Sequence, residues 1–123
     1  MSGAPARYPG QAPIDAYGNG GFRFAGMSHR GSLLCLPSGI YAWDPPDPVD
    51  ARSLERVLAG GEAVGMLLLG TGAAQKLPDA AVRRAFAEAQ IALESMDTGA
   101  ACRTYNILLT EKRSVAAALV AVG

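Results

Sequence analysis

Two apolar runs separated by an amphipathic stretch, each with a Thr-Gly pair at its carboxyl end, constrain this chain more than any other feature. Val64 to Leu69 lacks polar alternation, the pattern of a strand buried on both faces of a parallel sheet, where burying each Leu contributes roughly 1.5 to 3 kcal/mol. The loop Gly70-Thr71-Gly72-Ala73-Ala74-Gln75-Lys76 follows, and Pro78 marks the approach to a helix start. Val82, Ala85, Phe86 and Ala89 recur at helical spacing as a core-facing stripe, with Arg83, Arg84 and Glu88 on the wet side. Ile91 to Met96 is a second, short strand. A helix between two strands of one sheet makes them parallel through a right-handed crossover, so both following loops leave from one sheet edge. With the strands as neighbours, Gly70-Thr71-Gly72 and Asp97-Thr98-Gly99 lie side by side, in the crevice where open α/β sheets hold ligands. Asp97 or Thr98 caps the next helix, whose amino end favours anions.

The remaining 80 or so residues must complete that unit. At 123 residues, half of them hydrophobic, the chain suits one domain with one core, assigned to residues 13–123 behind a disordered lead-in, 1–12. Pro5 and Pro9 oppose an amphipathic transit helix in that lead-in. From Ile14 the pattern is short strands punctuated by glycine: Ile14 to Tyr17, Phe22 to Ala25, His29 to Leu36 and Ile40 to Trp43. Gly18-Asn19-Gly20-Gly21, Gly26-Met27-Ser28 and Pro37-Ser38-Gly39 supply the hairpin connections of an antiparallel meander. Asp44-Pro45-Pro46-Asp47-Pro48 is a stiff connector. Asp50 then caps a short helix carrying Leu54, Val57 and Leu58, with Gly60 placed to end it. Ser114 to Val122 supplies a last strand, although its alanines make a helix the serious rival. The expected fold class is α/β: three layers, a mixed central sheet with a strand-helix-strand crossover, and an N-terminal antiparallel β meander.

Charge excludes some functions. Eleven basic side chains balance eleven acidic ones, five against five through Gly61 and six against six afterwards, which argues against a nucleic-acid surface or an anionic-membrane stripe. The longest uninterrupted apolar run, Val115 to Val122, falls well short of the roughly 20 residues of a spanning helix. Two cysteines are too few for a secreted disulfide scaffold, and a reducing bacterial cytoplasm is the expected compartment.

Familiar catalytic motifs do not fit. Gln75 occupies the third-glycine position of a dinucleotide fingerprint, and the Gly-Lys-Ser/Thr ending of a P-loop is absent. His29 is the sole histidine, so triad and two-histidine metal schemes would all depend on it, and its place near a hairpin turn predicts surface exposure. Cys35, Cys102 and His29 have no metal-ligand spacing, and Cys102 reads as a packed thiol. No metal or cofactor is expected. Glu94 stands out, because a carboxylate inside an apolar strand costs energy unless it reaches water or a cation. Arg103 is the candidate partner, and Asn106 lies one turn further along the same helix.

The run Glu94-Ser95-Met96-Asp97-Thr98-Gly99-Ala100-Ala101-Cys102-Arg103-Thr104-Tyr105-Asn106, preceded by Leu69-Gly70-Thr71-Gly72, resembles the family of the mitochondrial respiratory complex I assembly factor 3. That family also holds the adipogenesis-associated domain protein and bacterial and archaeal proteins filed as domain of unknown function 498, similar to the methanogen protein 938. Ile14-Asp15-Ala16-Tyr17, Gly21-Phe22, Gly31-Ser32-Leu33-Leu34 and Trp43 resemble its opening strands. The resemblance implies a mixed central sheet with helices on one side and additional β structure packed against it, no established enzymatic activity, and protein contacts in respiratory complex assembly. It also implies a pocket of Gly70, Thr71, Gly72, Glu94, Asp97, Thr98, Arg103 and Asn106.

Two functions follow as expectations. One is a non-catalytic binding module with a protein partner, an assembly or stability factor for a membrane respiratory complex. The other is an enzyme binding a small anionic ligand at the twin loops, with Glu94 or Asp97 as base and Arg103 steering a carboxylate or phosphate.

Overall fold

The computed structural model of the protein describes residues 6–59 and 63–123. Its strands are β1 (Tyr8–Pro9), β2 (Ile14–Gly18), β3 (Gly21–Phe24), β4 (Met27–Arg30), β5 (Ser32–Leu36), β6 (Gly39–Trp43), β7 (Met66–Gly70), β8 (Ala92–Met96) and β9 (Val115–Leu119). A 3-10 turn (Arg52–Leu54) leads into the short α1 (Glu55–Leu58), while α2 (Ala80–Ala89) and α3 (Thr98–Thr110) are longer. Gly60, read as a helix terminator, lies outside the described residues, as do the first five residues of the lead-in. The rest of that lead-in departs from expectation: Tyr8 and Pro9 pair with Ile40 and Gly39 as an added edge strand.

Six strands form one mixed sheet in the order β1-β6-β5-β9-β7-β8. The crossover behaves as its pattern predicts. β7 and β8 are parallel neighbours in register from Met66↔Ala92 to Gly70↔Met96, with α2 between them in sequence. Asp79 caps α2 by accepting from the Val82 amide, and Val82 and Phe86 are its buried stripe. The alanine-rich terminal segment is a strand, not a helix. β9 lies between β5, to which it is antiparallel, and β7, to which it is parallel. All five of its residues are buried, so two flanking ladders override the helical propensity of alanine.

The expected meander is divided at Gly31. This residue has φ +97°, donates its amide to the Gly20 carbonyl at 2.7 Å, and breaks the run His29 to Leu36 into two strands. β5 joins the large sheet, whereas β4 closes a separate three-stranded sheet in the order β2-β3-β4. Both hairpins of the small sheet turn on two left-handed residues, Asn19-Gly20 and Ala25-Gly26, the signature of tight primed turns.

Alternation along the strands builds a core on each face of the large sheet. Leu33, Cys35, Leu68, Val115, Ala117 and Leu119 meet Ala101, Cys102 and Tyr105 of α3, together with Ile14, Phe22 and Phe24 of the small sheet. Leu34, Leu36, Leu67, Leu69, Ala116 and Ala118 meet Leu54, Val57, Val82 and Phe86. Helices therefore cover both faces, not the one side that the resemblance implied, and the small sheet shares its face with α3.

Candidate functional site

The two Thr-Gly loops do lie side by side. The Thr71 amide donates to the Met96 carbonyl at 2.9 Å, and the Thr98 amide to the Gly72 carbonyl at 2.8 Å. Thr98 is fully buried; its hydroxyl donates to the Val120 carbonyl at 2.7 Å and accepts from the Gly72 amide at 2.9 Å. One side chain thus ties both loops to the strand that separates β5 from β7. Thr71 is equally occupied: its hydroxyl contacts the carbonyls of Ala74 and Met96 and accepts from the Lys76 amide. Gly70 is small because α3 passes over it, where a Cβ would stand 3.0 Å from the Thr98 Cα and 3.2 Å from the Ala101 methyl.

Of the other expected residues, Asp97 and Asn106 bond backbone groups, while Glu94 and Arg103 lie exposed. Asp97 caps α3, accepting from the Ala100 amide at 2.8 Å. Asn106 accepts from the Ile14 amide and donates to the Ile14 carbonyl, both at 2.8 Å, which clamps α3 to the small sheet. Glu94 is exposed, because β8 is an edge strand and the carboxylate reaches water directly. It forms no ion pair with Arg103 among the described residues. Arg103 is exposed and lies instead near Gly99, beside the Tyr17 ring.

An open cavity of about 940 Å³ adjoins the first loop. Its walls come from the Thr71–Asp79 segment, the turn between β4 and β5, the proline-rich connector after Trp43, and Val120. Most of that lining is apolar: Trp43, Leu69, Leu77, Val49 and the connector prolines face alanines and Gly72. Of the eight expected pocket residues only Thr71 and Gly72 line it. The connector is stiff through its prolines and is fastened where the Trp43 indole donates to the Ser53 carbonyl at 2.8 Å. Asp50 accepts from the Ser53 amide at 2.9 Å and so opens the following turn as the sequence indicates. Leu77 is 74% exposed at the rim, a large apolar side chain left in water.

His29 also lines the cavity, and it is buried, contrary to the exposure expected of a residue near a turn. It stands opposite Phe22, on the core-facing side of the small sheet, while Ser28 and Arg30 on either side of it face outward. Burial pushes its imidazole below the usual 6.5; the Ser32 carbonyl, 3.2 Å from Nε2, opposes that shift, and the charge of Arg7 adds to it. Connector, β4–β5 turn and loop are distant in sequence, so no local motif signals this cavity.

Both cysteines are buried free thiols. Burial pushes Cys102 up to about 11, with the neighbouring Arg103 charge opposing, and raises Cys35 further. Cys35 faces the buried Tyr105 hydroxyl, which has no hydrogen bond of ordinary geometry among the described residues. Neither thiol is a ready nucleophile. No group of three or more His, Cys, Asp or Glu among the described residues is arranged to hold a metal ion, and no helix there is long and apolar enough to cross a membrane.

Residues 14–120 match a family described as protein of unknown function (DUF498/DUF598). An uncharacterised protein of Rhodobacter capsulatus is 39% identical over 113 residues, covering 92% of this chain and 87% of that one. The Danio rerio protein named NADH dehydrogenase (ubiquinone) 1 alpha subcomplex assembly factor 3 is 34% identical over 109 residues, 87% of this chain. That match covers 63% of the fish protein, so the chain spans less than two thirds of its length. The crystal structure of a Bartonella henselae protein described as an outer membrane protein superposes with a TM-score of 0.89 at 51% identity, over 94% of this chain and 99% of that one. The match over most of the chain, which includes the run from Glu94 to Asn106, makes this protein a member of the DUF498/DUF598 family.

Proposed function

We propose that this protein is a non-catalytic protein-binding module that assists the assembly or stability of a membrane respiratory complex of the complex I type. We place it in the bacterial cytoplasm, where its buried thiols stay reduced. The name carried by the vertebrate relatives suggests the process. One observation supports binding over catalysis: the polar side chains of the twin loops are already hydrogen-bonded within the protein, while the cavity beside them offers apolar walls. Thr71, Thr98, Asp97 and Asn106 all hold backbone groups. A reacting substrate would need groups free to converge on it. A partner's apolar side chain needs only a preformed, desolvatable hollow, and stiff prolines keep the ordering cost of such docking low.

In this reading Leu77 and the connector are the contact residues, and the loops are the frame that holds them. Affinity purification of the tagged protein from solubilised bacterial membranes tests it. Enrichment of subunits of an NADH-oxidising respiratory complex, or of membrane-biogenesis factors, is expected. A preparation that enriches neither counts against the proposal.

A further inference from the structure

The outer face of the three-stranded sheet carries a second hollow, about 500 Å³ in volume, that the proposed function leaves unused. Strand register defines it. Gly21 lies opposite Arg30 and Arg23 opposite Ser28, so both arginines leave the same face from diagonal positions roughly 7 to 8 Å apart. On the third strand Ala16 lies opposite Arg23 and Gly18 opposite Gly21, so the floor between the guanidinium groups bears a methyl or nothing. Phe22 and Phe24 point the other way, into the core. Gly21 admits no side chain, since a Cβ there would stand 2.1 Å from the His29 carbonyl oxygen.

The chemistry of the lining is one-sided. Arg23 and Arg30 are joined by Asn19 and Ser28, and no Asp or Glu lines the hollow. Neither arginine is in an ion pair among the described residues, where Arg113 and Glu111 make one at 3.8 Å. Although the chain as a whole is neutral, two unpaired guanidinium groups here share a small face with neutral donors and no carboxylate in the lining. We propose that this hollow binds a phosphate group. A planar carboxylate is satisfied by a single guanidinium fork, whereas phosphate, with about −1.5 to −2 charges and three strong acceptor oxygens, uses donors arriving from separate directions. Charge balance with two arginines points the same way. Arg30 also borders the larger cavity, but no residue of the twin loops lines this hollow.

Titration of inorganic phosphate into the ¹⁵N-labelled full chain at low ionic strength tests this. Saturable amide shifts confined to Asn19, Arg23, Ser28, Arg30 and their neighbours are expected, weakening as sodium chloride is added. Arg23→Gln and Arg30→Gln should each weaken binding about tenfold, since each removes a charge-assisted contact. Arg113→Gln, outside the hollow, should bind phosphate like the wild type. Absence of saturable shifts, or wild-type affinity in the Arg23→Gln, Arg30→Gln double variant, overturns the proposal. Flotation with phosphatidylcholine vesicles, with and without phosphatidic acid, then separates the two sources of the group. Capture by phosphatidic acid that the double variant loses supports a lipid headgroup. Binding of inorganic phosphate without vesicle capture supports a soluble phosphate ester.

Discussion

The crevice between the Thr-Gly loops and the cavity beside it share Thr71 and Gly72, yet they spend their side chains in opposite ways. In the crevice nearly every polar group is consumed by the fold: Thr98 bridges Gly72 and Val120, Asp97 caps a helix, and Asn106 clamps a second sheet. In the cavity the walls are apolar and Leu77 stands in water. Residues of the first kind should control stability, and those of the second should control binding. A motif full of polar residues can therefore be a framework, while the contact surface beside it leaves little trace in sequence.

The largest effect that could break this comparison is expected at Thr98. Thr98→Val removes the bridge and leaves the Gly72 amide and Val120 carbonyl unsatisfied, which should cost about 2 to 4 kcal/mol in urea unfolding. Thr98→Ser keeps the hydroxyl and should recover most of the loss. Wild-type stability in the valine variant would show that the crevice has polar capacity to spare, and so would favour a ligand there. Asn106→Ala, which releases both Ile14 contacts, should cost about 1 to 3 kcal/mol, with amide exchange faster in β2 and β3 than in β7 and β9.

A smaller effect, with a definite sign, comes from His29. Its imidazole titrates below 6.5 when folded, so the unfolded chain takes up the proton first as pH falls. Stability should be unaffected above that value and should decline as pH drops below it, toward the folded pKa. His29→Gln should flatten that part of the profile measured by chemical unfolding. A rise in stability over the same range would mean that the cavity wall holds a cation more comfortably than its burial implies. The smallest change in stability, within about 0.5 kcal/mol, is expected for Leu77→Asp, because the side chain is exposed. That variant should nevertheless lose the membrane-complex subunits captured by the wild type.

The crossover was legible because Val64 to Leu69 is uniformly apolar and α2 carries a clean stripe, signals that depend only on neighbours in sequence. Two parallel strands then oblige their loops to meet, and that inference needed no further information. Less was legible where distant segments combine. Glu94 reads as an anomaly in a buried strand, but β8 is the sheet edge, and the carboxylate was itself the local sign of an exposed position. Gly31, between Arg30 and Ser32, is the sign that the stretch His29 to Leu36 is really two strands, and nearness to a turn is a poor guide to His29, which alternation along β4 turns inward. The cavity assembles from the first Thr-Gly loop, the β4–β5 turn and the connector, and of these only the loop carries a motif, which does not reveal the other two walls. Helical spacing puts Asn106 on the right helix, but its partner, the Ile14 backbone, lies 92 residues away.

The claim that the apolar cavity receives the partner while the loops only support it is tested most directly by photo-crosslinking in intact cells. A photoreactive phenylalanine analogue is placed singly at Leu77, which lines the cavity, or at Glu94, which does not, both positions being exposed. A discrete adduct with a respiratory-complex or membrane-biogenesis subunit from position 77, and none from position 94, is the expected result. An adduct from position 94 with none from position 77 would contradict it.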